Sequence, residues 1–187
     1  MPFGALEDPI PRRPLSPWAR RPFRAVTVLD SPFDLPSGRL LALDLGRARH
    51  GVAVCDAMGV LATPLTVLPR RPTRAEDFRI VSALVVREGA VGVLVGLPLE
   101  SDTRPSPRLP VSPSSRQARW ARRYAGRLAG ALPTGVPLAF WDETLSTQDA
   151  EALLAETRGS TPPDAVAAAV ILQDFLEAKR YMPSRNS

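Results

Sequence analysis

Four acids in this chain stand where chemistry is possible. Asp44 closes the apolar run Leu40-Leu41-Ala42-Leu43, Asp142 and Glu143 close Leu138-Ala139-Phe140-Trp141, and Asp164 follows Pro162 and Pro163. A charge set directly behind a buried strand is costly without a partner. Carboxylates are the hard oxygen donors that Mg2+ and Mn2+ prefer to imidazole or thiolate. Two such ions activate a water and stabilise both oxygens of a phosphodiester displacement. The chemistry to expect is therefore metal-dependent cleavage of nucleic acid. Spacing alone does not bring these acids together, and each has a plainer reading. Asp44 fits a strand-end turn, Asp142 or Glu143 fits backbone capping near Ser146, and Asp164 is a favourable acid at a helix N-terminus.

The elements that would position them are legible from periodicity. Two strands, from Arg39 to Asp44 and from Gly51 to Cys55, precede a third apolar stretch at Leu61–Leu68, a meander of three successive strands. Residues Thr73 to Glu88 carry Phe78, Ile80, Val81, Leu84 and Val85 at helical spacing, opened by a capping-box pair, Thr73 and Glu76. Val91 to Val95 is a continuous apolar run expected to be buried on both faces. A Pro/Ser/Arg-rich loop at 100–115 leads to a second helix, from about Ser115 to Leu132, with Trp120, Tyr124 and Leu128 inward. Leu138 to Trp141 is a fifth strand, Ser146 opens a third helix, and Pro162 starts a last one with Val166, Val170, Leu172 and Phe175 inward. This order predicts an α/β domain with a mixed five-stranded sheet: three antiparallel strands, then strand–helix alternation, with helices on both faces.

Composition narrows the class. At 187 residues and 44% hydrophobic, one domain is expected over 38–180, between an N-terminal Pro/Arg-rich tail (1–37, eight prolines) and a short C-terminal tail (181–187). No run approaches the ~20 apolar residues of a membrane span, so a soluble, cytoplasmic protein is expected. Cys55, the only cysteine, excludes an internal disulfide and a cysteine-rich metal cluster. The formal net charge of +5, with Lys179 the one lysine among 24 basic residues, favours a polyanionic partner. Arg47 and Arg49 follow Asp44 in the turn between the first two strands and are candidates for contact with the nucleic-acid backbone. Arg119, Arg122, Arg123 and Arg127 form one face of the second helix, with Arg119 and Arg123 the further contact candidates. The sole histidine, His50, reads as a partly exposed turn residue rather than a base or ligand.

The segment Arg39 to Asp56, with Asp44-Leu45-Gly46 and His50-Gly51-Val52-Ala53-Val54 at its centre, resembles the opening motif of the YqgF (RuvX) family of Holliday-junction-resolvase-like nucleases. Three further motifs agree in order: Val95-Gly96-Leu97-Pro98, then Trp141 to Thr147, then Asp164 to Leu176. The likeness spans residues 39–178. It implies a ribonuclease-H-like fold, a bacterial cytoplasmic setting, and a role in maturing the 5′ end of pre-16S rRNA during ribosome assembly. It also implies that Asp44, Glu143 and Asp164 are the catalytic acids holding Mg2+ or Mn2+, two ions in all, with Asp142 the alternative second ligand.

The chain departs from the family pattern in four places. His50 replaces the usual isoleucine, Cys55 a common serine, Thr144 a common arginine, and the 100–115 loop carries an apparent insertion. None removes a ligand. Two competing classes remain distinguishable. An ATP-handling actin-like kinase needs a second comparable domain, for which the chain has no room. A non-catalytic factor of transcription or ribosome assembly has little reason to keep three metal-compatible acids. Branched DNA is the alternative substrate.

Overall fold

The computed structural model describes residues 28–97, 116–142 and 161–181. Five strands make one sheet: β1 (Leu40–Leu45), β2 (Arg49–Cys55), β3 (Ala62–Pro69), β4 (Gly92–Leu97) and β5 (Leu138–Asp142), in the order β3-β2-β1-β4-β5. The first three pair antiparallel, and β4 and β5 add in parallel. Among the described residues three helices, α1 (Arg74–Glu88), α2 (Arg116–Ala129) and α3 (Pro163–Tyr181), cover the sheet. The mixed five-stranded architecture expected from the sequence is the one observed. The helix expected from Ser146, the 100–115 loop and Glu143 lie outside the described residues.

Strand alternation sorts the core into two layers. Leu41, Leu43 and Leu45 of β1 join Val52 and Val54 of β2 against Val81, Leu84, Tyr124 and Leu128 of α1 and α2. Leu40 and Ala42 join Ala53 and Cys55 against Val166, Leu172 and Phe175 of α3. Every residue of β1 is buried except Asp44, which is half-buried and shares the parity of Leu40 and Ala42. Its side chain therefore belongs to the α3 face.

The capping box of α1 forms as its sequence specifies. Thr73 Oγ1 accepts from the Glu76 N–H at 3.3 Å while Glu76 Oε2 accepts from the Thr73 N–H. Gly89 ends the helix at φ 64°, its N–H bonded to the last-turn carbonyls of Val85 and Val86.

Part of the segment expected in the tail touches the domain: within residues 28–37, Val28, Leu29, Phe33 and Leu35 pack on the core. Val28 bridges Leu138 and the Leu29 N–H donates to the Leu138 carbonyl at 2.8 Å. A Ser31-capped single turn at Pro32–Asp34 sets Phe33 edge-on against Trp141, with ring centroids 5.8 Å apart, and Leu35 is buried. The prolines that suggested a tail here serve a turn, which proline permits.

Candidate nuclease site

The β1–β2 turn sets the geometry. In the antiparallel register Asp44 stands opposite Gly51 and Leu45 opposite His50. A Cβ on Gly51 would collide with the Asp164 carbonyl oxygen and stand 3.2 Å from the Ala165 nitrogen. The first turn of α3 thus lies directly on β2 at the residue paired with Asp44, and only glycine permits that approach. The helix starts where Pro162 offers its carbonyl to the Ala165 and Val166 N–H groups, at 3.0 and 3.2 Å. Asp164 sits in this first turn.

Two of the three expected acids are thereby brought to one place from 120 residues apart in sequence. Their proximity has an electrostatic signature. Burial pushes the Asp44 carboxyl above its ordinary range, and the Asp164 charge raises it further. Arg49, whose side chain is exposed, forms an ion pair with Asp164 through Nε. Arg47 is exposed in the turn itself. Gly46 makes that turn possible, because a Cβ there would run into the Arg49 carbonyl.

The remaining candidates separate. The backbone of Asp142 pairs with Leu97 at the end of β5, the same end of the sheet as Asp44, while Glu143 lies outside the described residues. Among the described residues, no three acids, histidines or cysteines gather as a metal centre. Arg119 and Arg123 are exposed on α2, across the sheet from Asp44.

His50 is not a turn residue at the surface. Even parity in β2 turns it, with Val52 and Val54, into the α1–α2 layer, where it is 1% exposed. Its ring lies 5.1 Å from Tyr124 and 6.5 Å from Trp120, and neither ring nitrogen has a hydrogen-bond partner. Burial lowers its pKa to about 4, outweighing the nearby Asp77 carboxylate, which raises it; Arg70 lowers it further. The imidazole stands in for an apolar side chain.

Several contributors carried no obvious signal. Trp141 Nε1 donates to the buried Asp174 carboxylate at 2.8 Å, tying the end of β5 to α3. Gln173 Oε1 accepts from the Ala62 N–H at 2.9 Å and fastens β3 to the same helix. For Gly51 the signal is present: a glycine inside a strand, ahead of Val52-Ala53-Val54, marks close approach of another backbone.

This site, on this topology, defines the class: a ribonuclease-H-like domain with acids at the end of its first strand and the start of its last helix. The fold likeness is direct, since Thermus thermophilus RuvC in complex with a Holliday junction substrate aligns over 77% of this chain and 96% of that one, with a TM-score of 0.52 at 14% identity. The chain belongs to the RuvX family, described as Holliday junction resolvase, whose model matches residues 38–178. A relative from Anaeromyxobacter sp. strain Fw109-5, named "Putative pre-16S rRNA nuclease", is 43% identical and covers 75% of this chain and 98% of its own. One of the same name from Syntrophus aciditrophicus is 37% identical, covering 75% of this chain and 89% of its own.

Proposed function

We propose that this protein is a divalent-metal-dependent nuclease that trims the 5′ end of pre-16S rRNA in the bacterial cytoplasm. The observation that carries the reading is the enforced approach of Asp164 to the strand pair bearing Asp44. A half-buried carboxylate held beside a second one is opposed in its charged form, a cost that a bound cation relieves, and hard oxygen donors suit Mg2+ or Mn2+. Asp44 and Asp164 are two of the ligands. Glu143, which the family resemblance implies as a catalytic acid, is the third, with Asp142 tested beside it. When bound, the ions lower the pKa of a water and stabilise the leaving oxygen.

The chain's own residues do the rest. Gly51 lets α3 approach, and the Trp141–Asp174 hydrogen bond holds the end of β5 against α3. Arg49 neutralises Asp164 and, with Arg47, presents guanidinium groups to the phosphates flanking the cut. Names carried by the relatives favour rRNA as substrate, and the family description keeps branched DNA as the second reading.

The test is incubation with a pre-16S rRNA fragment and with a Holliday junction, in Mg2+, in Mn2+ and in chelator. Metal-dependent cleavage of the RNA, lost in Asp44→Asn and Glu143→Gln but kept in Asp142→Asn, is the expected result. Binding without cleavage by folded, metal-supplied wild type would replace the nuclease with a non-catalytic factor.

A further inference from the structure

A second charged feature lies across the sheet from Asp44. Arg74 at the start of α1 and Trp120, Arg123, Tyr124 and Arg127 of α2 line a cleft of about 270 Å³. All three arginines are exposed, and among the described residues no carboxylate pairs with any of them. The nearby acid, Asp77, is buried: its Oδ1 accepts from the Arg71 N–H at 2.7 Å, its Oδ2 faces Arg70 at 3.7 Å, and its charge also bears on the Tyr124 hydroxyl. At the cleft's inner wall the Tyr124 hydroxyl is sealed from solvent, without a hydrogen bond of ordinary geometry.

The cleft is too small and too cationic for an apolar ligand of ordinary size. Nor is it a stacking slot, because Tyr124, His50 and the Arg70 guanidinium, the last 5.3 Å from the ring centroid, already crowd the Trp120 indole. What three unpaired guanidiniums around so small a volume fit is a phosphodiester group, whose oxygens accept their forked hydrogen bonds.

Its position gives the phosphate a source. Two residues of the cleft wall, Trp120 and Tyr124, pack on His50, which stands one residue from Gly51, at the end of the sheet that carries Asp44. Arg70 Nη1 donates to the Arg47 carbonyl at 3.2 Å while its guanidinium lies over Trp120. A line of arginines therefore runs around the sheet end: Arg49 at Asp164, Arg47 in the turn, Arg70 beside it, then Arg74, Arg123 and Arg127. We propose that single-stranded RNA engaged at Asp44 wraps this end of the sheet and seats a downstream or upstream phosphate in the α1–α2 cleft, which anchors substrate away from the cut. The assignment rests on the nuclease reading above, but its test does not need cleavage.

Binding of a ~20-nucleotide single-stranded RNA, long enough to exceed a typical single-strand site, is measured in chelator over a range of salt. Two variants of equal charge are compared: Arg74→Gln with Arg127→Gln, and Arg79→Gln with Arg87→Gln, both exposed arginines elsewhere on α1. Each lost phosphate contact lowers the slope of log K against log salt by about 0.7 for a single strand. The cleft pair, which takes two guanidiniums from the one seated phosphate, should lower it by about 0.7 and weaken binding, while the control pair leaves it unchanged and both keep the wild-type melting temperature. Equal slopes in the two pairs, or no change in either, would overturn the proposal. So would a melting-temperature rise with inorganic phosphate or a nucleoside monophosphate that the cleft pair abolishes while its RNA slope stays at the wild-type value, since the cleft would then be a small-anion site.

Discussion

The Asp164 carbonyl oxygen occupies the space that a Cβ on Gly51 would need. Because Gly51 is the register partner of Asp44, one missing methyl group sets how near the two acids stand. Backbone meets backbone here, so no side chain can swing aside to accommodate a larger residue. Gly51→Ala is expected to displace the first turn of α3, cost about 3 kcal/mol, the upper range for overpacking, and remove cleavage. Thermal melts and cleavage rates check it together. Retained activity with a wild-type melting temperature would mean that the helix start adjusts freely and that the close approach has no bearing on the site.

Asp44→Asn separates chemistry from folding. The ionised Asp44 is opposed by burial and by the charge on Asp164, so in chelator a neutral amide of the same shape should leave the melting temperature unchanged or raise it. Wild type should gain stability with Mg2+ or Mn2+ by mass action on the folded state, and the variant should lose most of that gain. Calorimetry with and without metal reads this independently of turnover. A metal-induced shift of full size in Asp44→Asn would remove Asp44 from the ligand set.

Much of this arrangement is legible in the sequence. The run Leu40-Leu41-Ala42-Leu43 ending in an acid, the Thr73–Glu76 capping box and the switch from period two to helical spacing each specify local structure, and the strands and helices follow them closely. What local pattern does not carry is parity relative to a partner element. His50 looks like a turn residue because Gly46, Arg47 and Arg49 precede it. Its fate is decided by register with Leu45, which sends it into the α1–α2 layer. The same limit applies to residues 28–37, where prolines suggest a tail but a bridge to Leu138 and the Phe33–Trp141 contact bring Val28, Leu29, Phe33 and Leu35 onto the core.

His50 gives the stability of the protein a pH dependence with a defined sign. Its folded pKa of about 4 lies below the ordinary 6.5, so between these values the unfolded chain holds the extra proton. Stability from this group is complete above about pH 6.5 and falls as the pH drops toward 4. The loss is on the order of 3 kcal/mol for a shift of this size. His50→Ile should flatten the stability curve across that window and raise the melting temperature at pH 5 more than at pH 8. Denaturant melts at the two pH values check it; an unchanged difference between them would mean that the imidazole is not held neutral by its burial.

Trp141 links the last described strand to the last helix. Its Nε1 donates to the Asp174 carboxylate at 2.8 Å, and its ring meets Phe175 at 5.3 Å and Phe33 at 5.8 Å. Trp141→Phe keeps an aromatic ring but takes this donor from a buried charged acceptor, an omission worth about 2 kcal/mol. If that bond also holds the end of β5 toward Asp44, the variant should lose more activity than its stability loss explains. Cleavage measured well below its melting temperature should fall by at least an order of magnitude, and Asp174→Asn, which keeps an oxygen acceptor for the indole, should be milder on both counts. Full activity in a destabilised Trp141→Phe would confine the bond to folding and leave the end of β5 positioned by its pairing with β4 and by the ring contacts with Phe33 and Phe175.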